Sequence, residues 1–308
     1  LIEDFKMRLD WNNEADGTFF DRQGVSLLMY AAFSNKLEVA KYVIEEISKN
    51  FGVNTQERAR RVESRISKDG YLHFGIPGSC TALIGAMTVA SHEMVQLLLA
   101  NGADTYATDI SGNNPLMCAC IVNRVNNVEY WLKEFPDWNI DAQNKFGATA
   151  LTCALKMGPK RLILTKILVE AGASLDLKTY SGGTIVHSLC DSEDSETEVL
   201  TFLMVHTTNV SLNTQRKGQT LKRKSMNVVL EMLVKMGTKS SLIRNLGSKL
   251  GSTALHHAAS RGDIAMVEQL LNLGADPSIQ NDLGHDAAAM CKSFPELRGV
   301  LEKRERKM

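Results

Sequence analysis

His256 and His257 stand side by side, and Cys118 lies two residues from Cys120. Paired imidazoles could hold a metal ion, and paired thiols could hold one or cycle through a disulfide. Neither pair has the surroundings that such chemistry needs. Adjacent residues of a helix do not share a face, so these two rings do not converge on one ion. The two cysteines are not a C-x-x-C pair and have no second pair or histidine nearby. There is no G-x-x-x-x-G-K-[ST] phosphate loop, G-x-S-x-G elbow, H-E-x-x-H zinc helix or kinase motif set. Apart from an acidic block at Asp191–Glu198, the other histidines and the acidic residues are scattered. The residues point to no catalytic site, no cofactor and no metal, and the expectation is a protein that is not an enzyme.

The elements that carry these residues belong to a folded chain. Its 308 residues allow two or three domains, or one long array. Hydrophobic residues make up 44% and charged residues 23%, too apolar for intrinsic disorder. Lys plus Arg and Asp plus Glu are 35 each, without the basic excess of a dedicated nucleic-acid binder. No apolar run is long enough to span a membrane. Six cysteines are too few for a disulfide scaffold and read as thiols of a reducing compartment, cytoplasmic or nuclear. The chain opens on Leu1-Ile2-Glu3, with neither Met nor a signal-peptide pattern, and reads as a segment of a longer protein.

A fixed period organises the sequence. Its clearest unit runs Gly251-Ser-Thr-Ala-Leu-His-His-Ala-Ala-Ser-Arg-Gly262, then Asp263-Ile-Ala-Met-Val-Glu-Gln-Leu-Leu-Asn-Leu-Gly-Ala-Asp-Pro277. Copies begin near Gly24, Thr81, Gly112, Gly147 and Gly182. The residues at the threonine position are Ser26, Thr81, Asn114, Thr149, Thr184, Thr220, Thr253 and Asp286. They follow one another at 55, 33, 35, 35, 36, 33 and 33 residues. The motif and the spacing resemble the ankyrin repeat, whose period is 33. The resemblance implies an all-α ankyrin-repeat solenoid: two short helices per unit, joined to the next unit by tight turns or short β-hairpins. One unit cannot bury its own apolar face, so neighbours must stack.

The expected organisation is an array over 21–301, with units near 21–46, 77–109, 110–143, 144–178, 179–214, 215–247, 248–280 and 281–301. Residues 1–20 read as a truncated preceding repeat or N-terminal cap, and 302–308 as a charged tail. The long first interval marks an insertion at 47–76, read as an extra surface helix or a basic arm. The unit at 215–247 is degenerate, with Lys222 where a core leucine belongs. From Gln215 to Lys249 there are nine Lys or Arg and one acid, Glu231. Just upstream, Asp191 to Glu198 carries five acids in eight residues. The two blocks could neutralise each other, or the basic run Arg216–Lys249 could meet an acidic partner or, less readily, nucleic acid.

In the ankyrin family partners usually meet the concave face, made by turn tips and first helices. Carried onto this chain, its variable positions include Val25, Phe33, Val89, Ile110, Ile121, Val122, Phe146, Met157 and Tyr180. That set is more apolar than a solvated surface requires and reads as a protein-binding strip. It could instead be covered by the insertion or turned into the core. The resemblance implies a non-catalytic scaffold or targeting module. The alternatives are a regulatory segment of a larger enzyme or channel, and a structural subunit of a large assembly.

Overall fold

Among the described residues, the residue at the threonine position of a repeat is a helix cap. The side-chain oxygens of Thr81, Asn114, Thr149 and Asp286 accept hydrogen bonds from the backbone N–H three residues on. Each such cap contributes about 1 kcal/mol to the helix it starts. The computed structural model describes residues 12–13, 19–20, 27–51, 81–156, 161–192, 196–207, 211–219, 221–236, 238, 240, 247, 249–291 and 293–305.

In chain order the helices are α1 (Leu27–Phe33), α2 (Leu37–Phe51), α3 (Ala82–Val89), α4 (His92–Ala100), α5 (Pro115–Ile121), α6 (Val125–Glu134), α7 (Ala150–Lys156) and α8 (Arg161–Glu170). They continue as α9 (Ile185–Cys190), α10 (Thr197–His206), α11 (Leu221–Lys235), α12 (Ala254–Arg261), α13 (Ile264–Asn272), α14 (Ala287–Met290) and α15 (Pro295–Glu305). The fold is the expected all-α ankyrin-repeat class. The described strands are two residues each, β1 (Asn12–Asn13) antiparallel to β2 (Phe19–Phe20). None of the helices is long and apolar enough to cross a membrane among the described residues.

Two compact units divide the chain, one of residues 1–139 with 143–145, the other of 140–142 with 146–308. In the first unit α1, α3 and α5 pack side by side, and α2, α4 and α6 form the row behind them. Small residues allow the close approach: Ala31, Ala32, Ala86, Ala119 and Cys120 have no exposed surface. Asn127, buried on α6, donates from Nδ2 to the carbonyls of Ala86, Met87 and Ala90, closing the orphaned end of α3. Behind α4 the chain turns at Gly102, whose φ of 82° only glycine adopts without strain.

In the second unit the front row is α7, α9, α12 and α14, and the back row is α8, α10 and α13. Helix α11 belongs to neither row. The helix following α9 in the front row is α12, so the stretch read as a unit at 215–247 is not a stacked repeat. Backbone hydrogen bonds show where it goes. A regular tip is closed by two bonds, Thr179 N–H to Gly183 O and Gly182 N–H to Thr179 O. Asp109 with Gly112 and Asn113, and Asn281 with Gly284 and His285, repeat the pattern. The tip before α12 has the same two bonds, from Arg216 N–H to Ser252 O and from Gly251 N–H to Arg216 O. Residues 218–249 are therefore an excursion out of one hairpin tip. Gly251 keeps the tip's left-handed backbone, with φ 67°. Their number almost equals one repeat period, so the spacing stayed in phase although no repeat was added.

Other boundaries shift as well. Helix α2 extends to Phe51, so the start of the 47–76 insertion is a continuation of a repeat helix; the rest of that insertion lies outside the described residues. Residues 302–305 are the end of α15 and not a separate tail.

Candidate functional site

The tip and first-helix positions divide by exposure. In the first unit Val89, Ile110 and Val122 are open to solvent, Ile110 at 50%. Phe33 and Ile121 are half-buried. Phe33 lies against Gly85, where the missing side chain leaves room for its ring, and packs on the Ile84 and Cys118 cluster. Expected as a free anchor, it is instead held by the core of its own unit. In the second unit Phe146 is 55% exposed. Tyr180 is half-buried, and its ring covers Gly147. Val25 and Met157 lie outside the described residues.

The histidines at the motif position are structural. His187 Nδ1 accepts from Thr184 N–H at 3.2 Å, which leaves the proton on Nε2 to donate to Ser252 O at 3.1 Å. His256 repeats the device with Thr253 N–H and His285 O. Each ring thus ties its helix start to a later tip as a neutral tautomer. Burial, with His257 and Arg216 nearby, pushes the His187 ring down to about 3. His256 is also lowered, chiefly by burial.

Sequence reasoning missed a carboxylate that draws three side chains together. Asp191, at the C-cap of α9, accepts from His257 Nδ1 at 2.6 Å, from Arg216 Nη2 at 3.1 Å and from Lys249 Nζ at 3.5 Å. Its backbone carbonyl accepts from Arg261. Arg216 and Lys249 are the two stems of the excursion, so one carboxylate clasps both ends of the loop to the repeat stack. Burial alone would raise this carboxyl. The His257 hydrogen bond and the nearby Arg216 and Lys249 cations outweigh it and hold the carboxyl well below the usual carboxylate range. Burial also lowers His257, which stays neutral at pH 7. The acidic block and the basic run do meet, through this residue.

An Asp–His pair invites a catalytic reading, but the geometry opposes it. The free Nε2 of His257 is enclosed, with no hydrogen-bond partner, and its ring is edge-on to His187 at 5.5 Å between centroids. No substrate atom reaches it. Cys190 and Cys291 are buried, and burial pushes the Cys291 thiol up to about 11 and the Cys190 thiol higher still. Neither supplies a thiolate nucleophile at neutral pH.

Beside the clasp lies a cavity of about 370 Å³. Phe146, Met226, Leu230 and Leu250 give it apolar walls, and Lys156, Arg216 and Lys249 bring positive charge. Above it, α11 turns Val228, Val229, Met232 and Leu233 to solvent, Met232 at 60%; Met236, just beyond the helix, is 80% exposed. The basic run thus forms a looped-out helix with an uncovered apolar face.

The comparisons with known proteins agree with this architecture. The ankyrin repeat family model matches residues 250–282. A mouse B-cell lymphoma 3 protein homolog is 25% identical over 205 residues, 65% of this chain but only 37% of that protein. The chain thus spans little more than a third of that relative's length. Among solved structures, the human ASB11 ankyrin repeat domain is 19% identical with a TM-score of 0.57, covering 90% of this chain and 97% of that one. The ankyrin repeat domain of Bcl-3, a unique member of the IkappaB protein family, is 20% identical with a TM-score of 0.55, covering 91% of this chain and 100% of that one. Repeated caps, left-handed tip glycines, paired rows of helices and these likenesses together show an ankyrin-repeat fold, with the family's own repeat matched at residues 250–282.

Proposed function

We propose that the chain is a non-catalytic protein-binding module whose partners dock on its tip and first-helix surface. The observation that carries this reading is the exposure of Val89, Ile110, Val122 and Phe146, large apolar residues at the positions where ankyrin repeats vary. Exposed apolar surface on a rigid framework favours a protein partner, because its burial contributes roughly 25 cal/mol per Å². Phe33 contributes mainly by packing its helix on the next, and Tyr180 by covering the tip at Gly147. Partner selectivity comes from charge, with the basic run suited to an acidic surface. The enclosed His257 and the protonated buried thiols support a binding role over catalysis. The same thiols fit a reducing intracellular compartment.

Affinity capture from a cell extract tests the reading. The chain is compared with a variant carrying Ile110→Asp, Val122→Asp and Phe146→Asp. The variant is expected to keep its helical circular dichroism and thermal midpoint and to lose specific partners. A folded variant that retains every partner overturns the reading.

A further inference from the structure

We propose that helix α11 and the cavity beside it bind an acidic peptide segment of a partner protein, which seats an apolar side chain in the cavity. This rests on the protein-binding reading and names the chemistry of one partner. Three observations converge on it. The excursion that carries α11 leaves and re-enters a single hairpin tip, so it adds no layer to the repeat stack. A framework of this kind tolerates a long insertion at little entropic cost, and the insertion is available for recognition. Next, the stripe of α11 that faces inward, Asn227, Leu230, Glu231 and Val234, is only half-buried, and Val228, Val229, Met232 and Leu233 are uncovered. An amphipathic helix with this much exposed apolar surface offers a face on which a partner can dock.

Charge selects the partner. Nine Lys or Arg against one acid lie between Gln215 and Lys249. In the cavity, Lys156, Arg216 and Lys249 face a single acid, Asp191, which is already engaged by both stems. Arg216 keeps a buried Nε without a partner. The recess is therefore apolar on its walls and positive at its polar edge. It suits a Leu, Met or aromatic side chain flanked by carboxylates. Flexible Met side chains at Met226, Met232 and Met236 adapt to such a segment. A flat anionic lipid surface cannot enter the recess, and a phosphate backbone has no use for the Met and Val face.

The test uses the whole chain and a fluorescein-labelled acidic peptide with Leu and Phe at helical spacing. Its control is the same peptide with every Glu replaced by Lys. Fluorescence anisotropy is expected to show micromolar, salt-weakened binding of the acidic peptide and none of the control. Lys156→Glu with Met226→Asp is expected to weaken binding about tenfold or more with an unchanged thermal midpoint. Lys156→Arg alone, which keeps the charge, is expected to bind as the unaltered chain does. Equal binding of both peptides, an indifferent double variant, or preference for a single-stranded oligonucleotide or a phosphatidylserine vesicle overturns the proposal. If the peptide fails while captured partners still depend on Ile110 and Val122, this inference falls and the protein-binding reading stands. If the peptide binds while captured partners ignore Ile110 and Val122, the docking surface proposed above falls and the α11 site stands.

Discussion

Asp191→Ala lowers the unfolding free energy of the second unit by about 3 kcal/mol, read from urea denaturation. The expected loss comes from the groups left behind more than from the contacts removed. Arg216 is nine-tenths buried and loses the one acid it pairs with among the described residues, and His257, more deeply buried, loses its acceptor. Removing one member of a buried ion pair costs about 3–5 kcal/mol, because the other charge stays out of water. The figure sits at the lower end because Lys249 is 44% exposed, and water screens its share of the pairing. Asp191→Asn, which keeps the hydrogen-bond acceptor and drops the charge, is expected to lose about half as much. The location of the damage matters as much as its size. Both stems of the excursion are released together, so proteolysis within 218–249 accelerates in Asp191→Ala before the repeat stack opens.

Acidification is the second large effect. The His187 ring, held near 3 in the folded chain, returns to about 6.5 when unfolded. The unfolded state then binds more protons than the folded state below pH 6.5, so stability is present above that pH and falls as pH drops. His187 alone removes about 3 kcal/mol between pH 7 and pH 4. His256 and His257 are lowered too and act in the same direction. Asp191 joins below about pH 4, where its unfolded form protonates while the clasped carboxylate resists. The stability curve has no plateau on the acid side. Urea midpoints measured at intervals from pH 7 to pH 4 check this, and a flat profile from pH 7 to pH 5 contradicts the neutral-histidine tips.

The regular part of the fold was legible because each signal has a local cause. A cap residue, a small pair in the first helix and a glycine after the second helix act within one repeat, so Thr81, Ala86 and Gly102 announce their roles in order. The excursion was not legible from spacing. An interval reports where the chain returns in phase, and Thr220 to Thr253 returns in phase around residues that never stack. The sign of trouble was compositional, with Lys222 at a core leucine position. The clasp was hidden for a different reason. Asp191 meets Arg216, Lys249 and His257 at separations of 25, 58 and 66 residues, and only the direct packing of α9 on α12 brings them together. In the sequence it was one of five acids in eight residues, with nothing to single it out. Phe33 was misjudged because its exposure depends on Gly85 in the next repeat, whose missing side chain accepts the ring. Ile110 and Phe146, at tips, and Val89, at the end of α3, were readable as outward-facing because these positions follow the family pattern.

The central claim is that 218–249 is looped out of one hairpin tip and that the repeats on either side stack directly. Deleting 218–249 tests it. The deletion joins Lys217 to Leu250 and leaves Arg216-Lys217-Leu250-Gly251, a tip of the same length as Asn281-Asp282-Leu283-Gly284. Hydrogen exchange is then measured on the amides of α9 and α12. Direct stacking predicts that Ile185–Cys190 and Ala254–Arg261 keep the protection they have in the full chain. Were 215–247 a stacked repeat between them, the deletion would strip the core from both neighbours, and fast exchange across α9, α10, α12 and α13 would contradict the account.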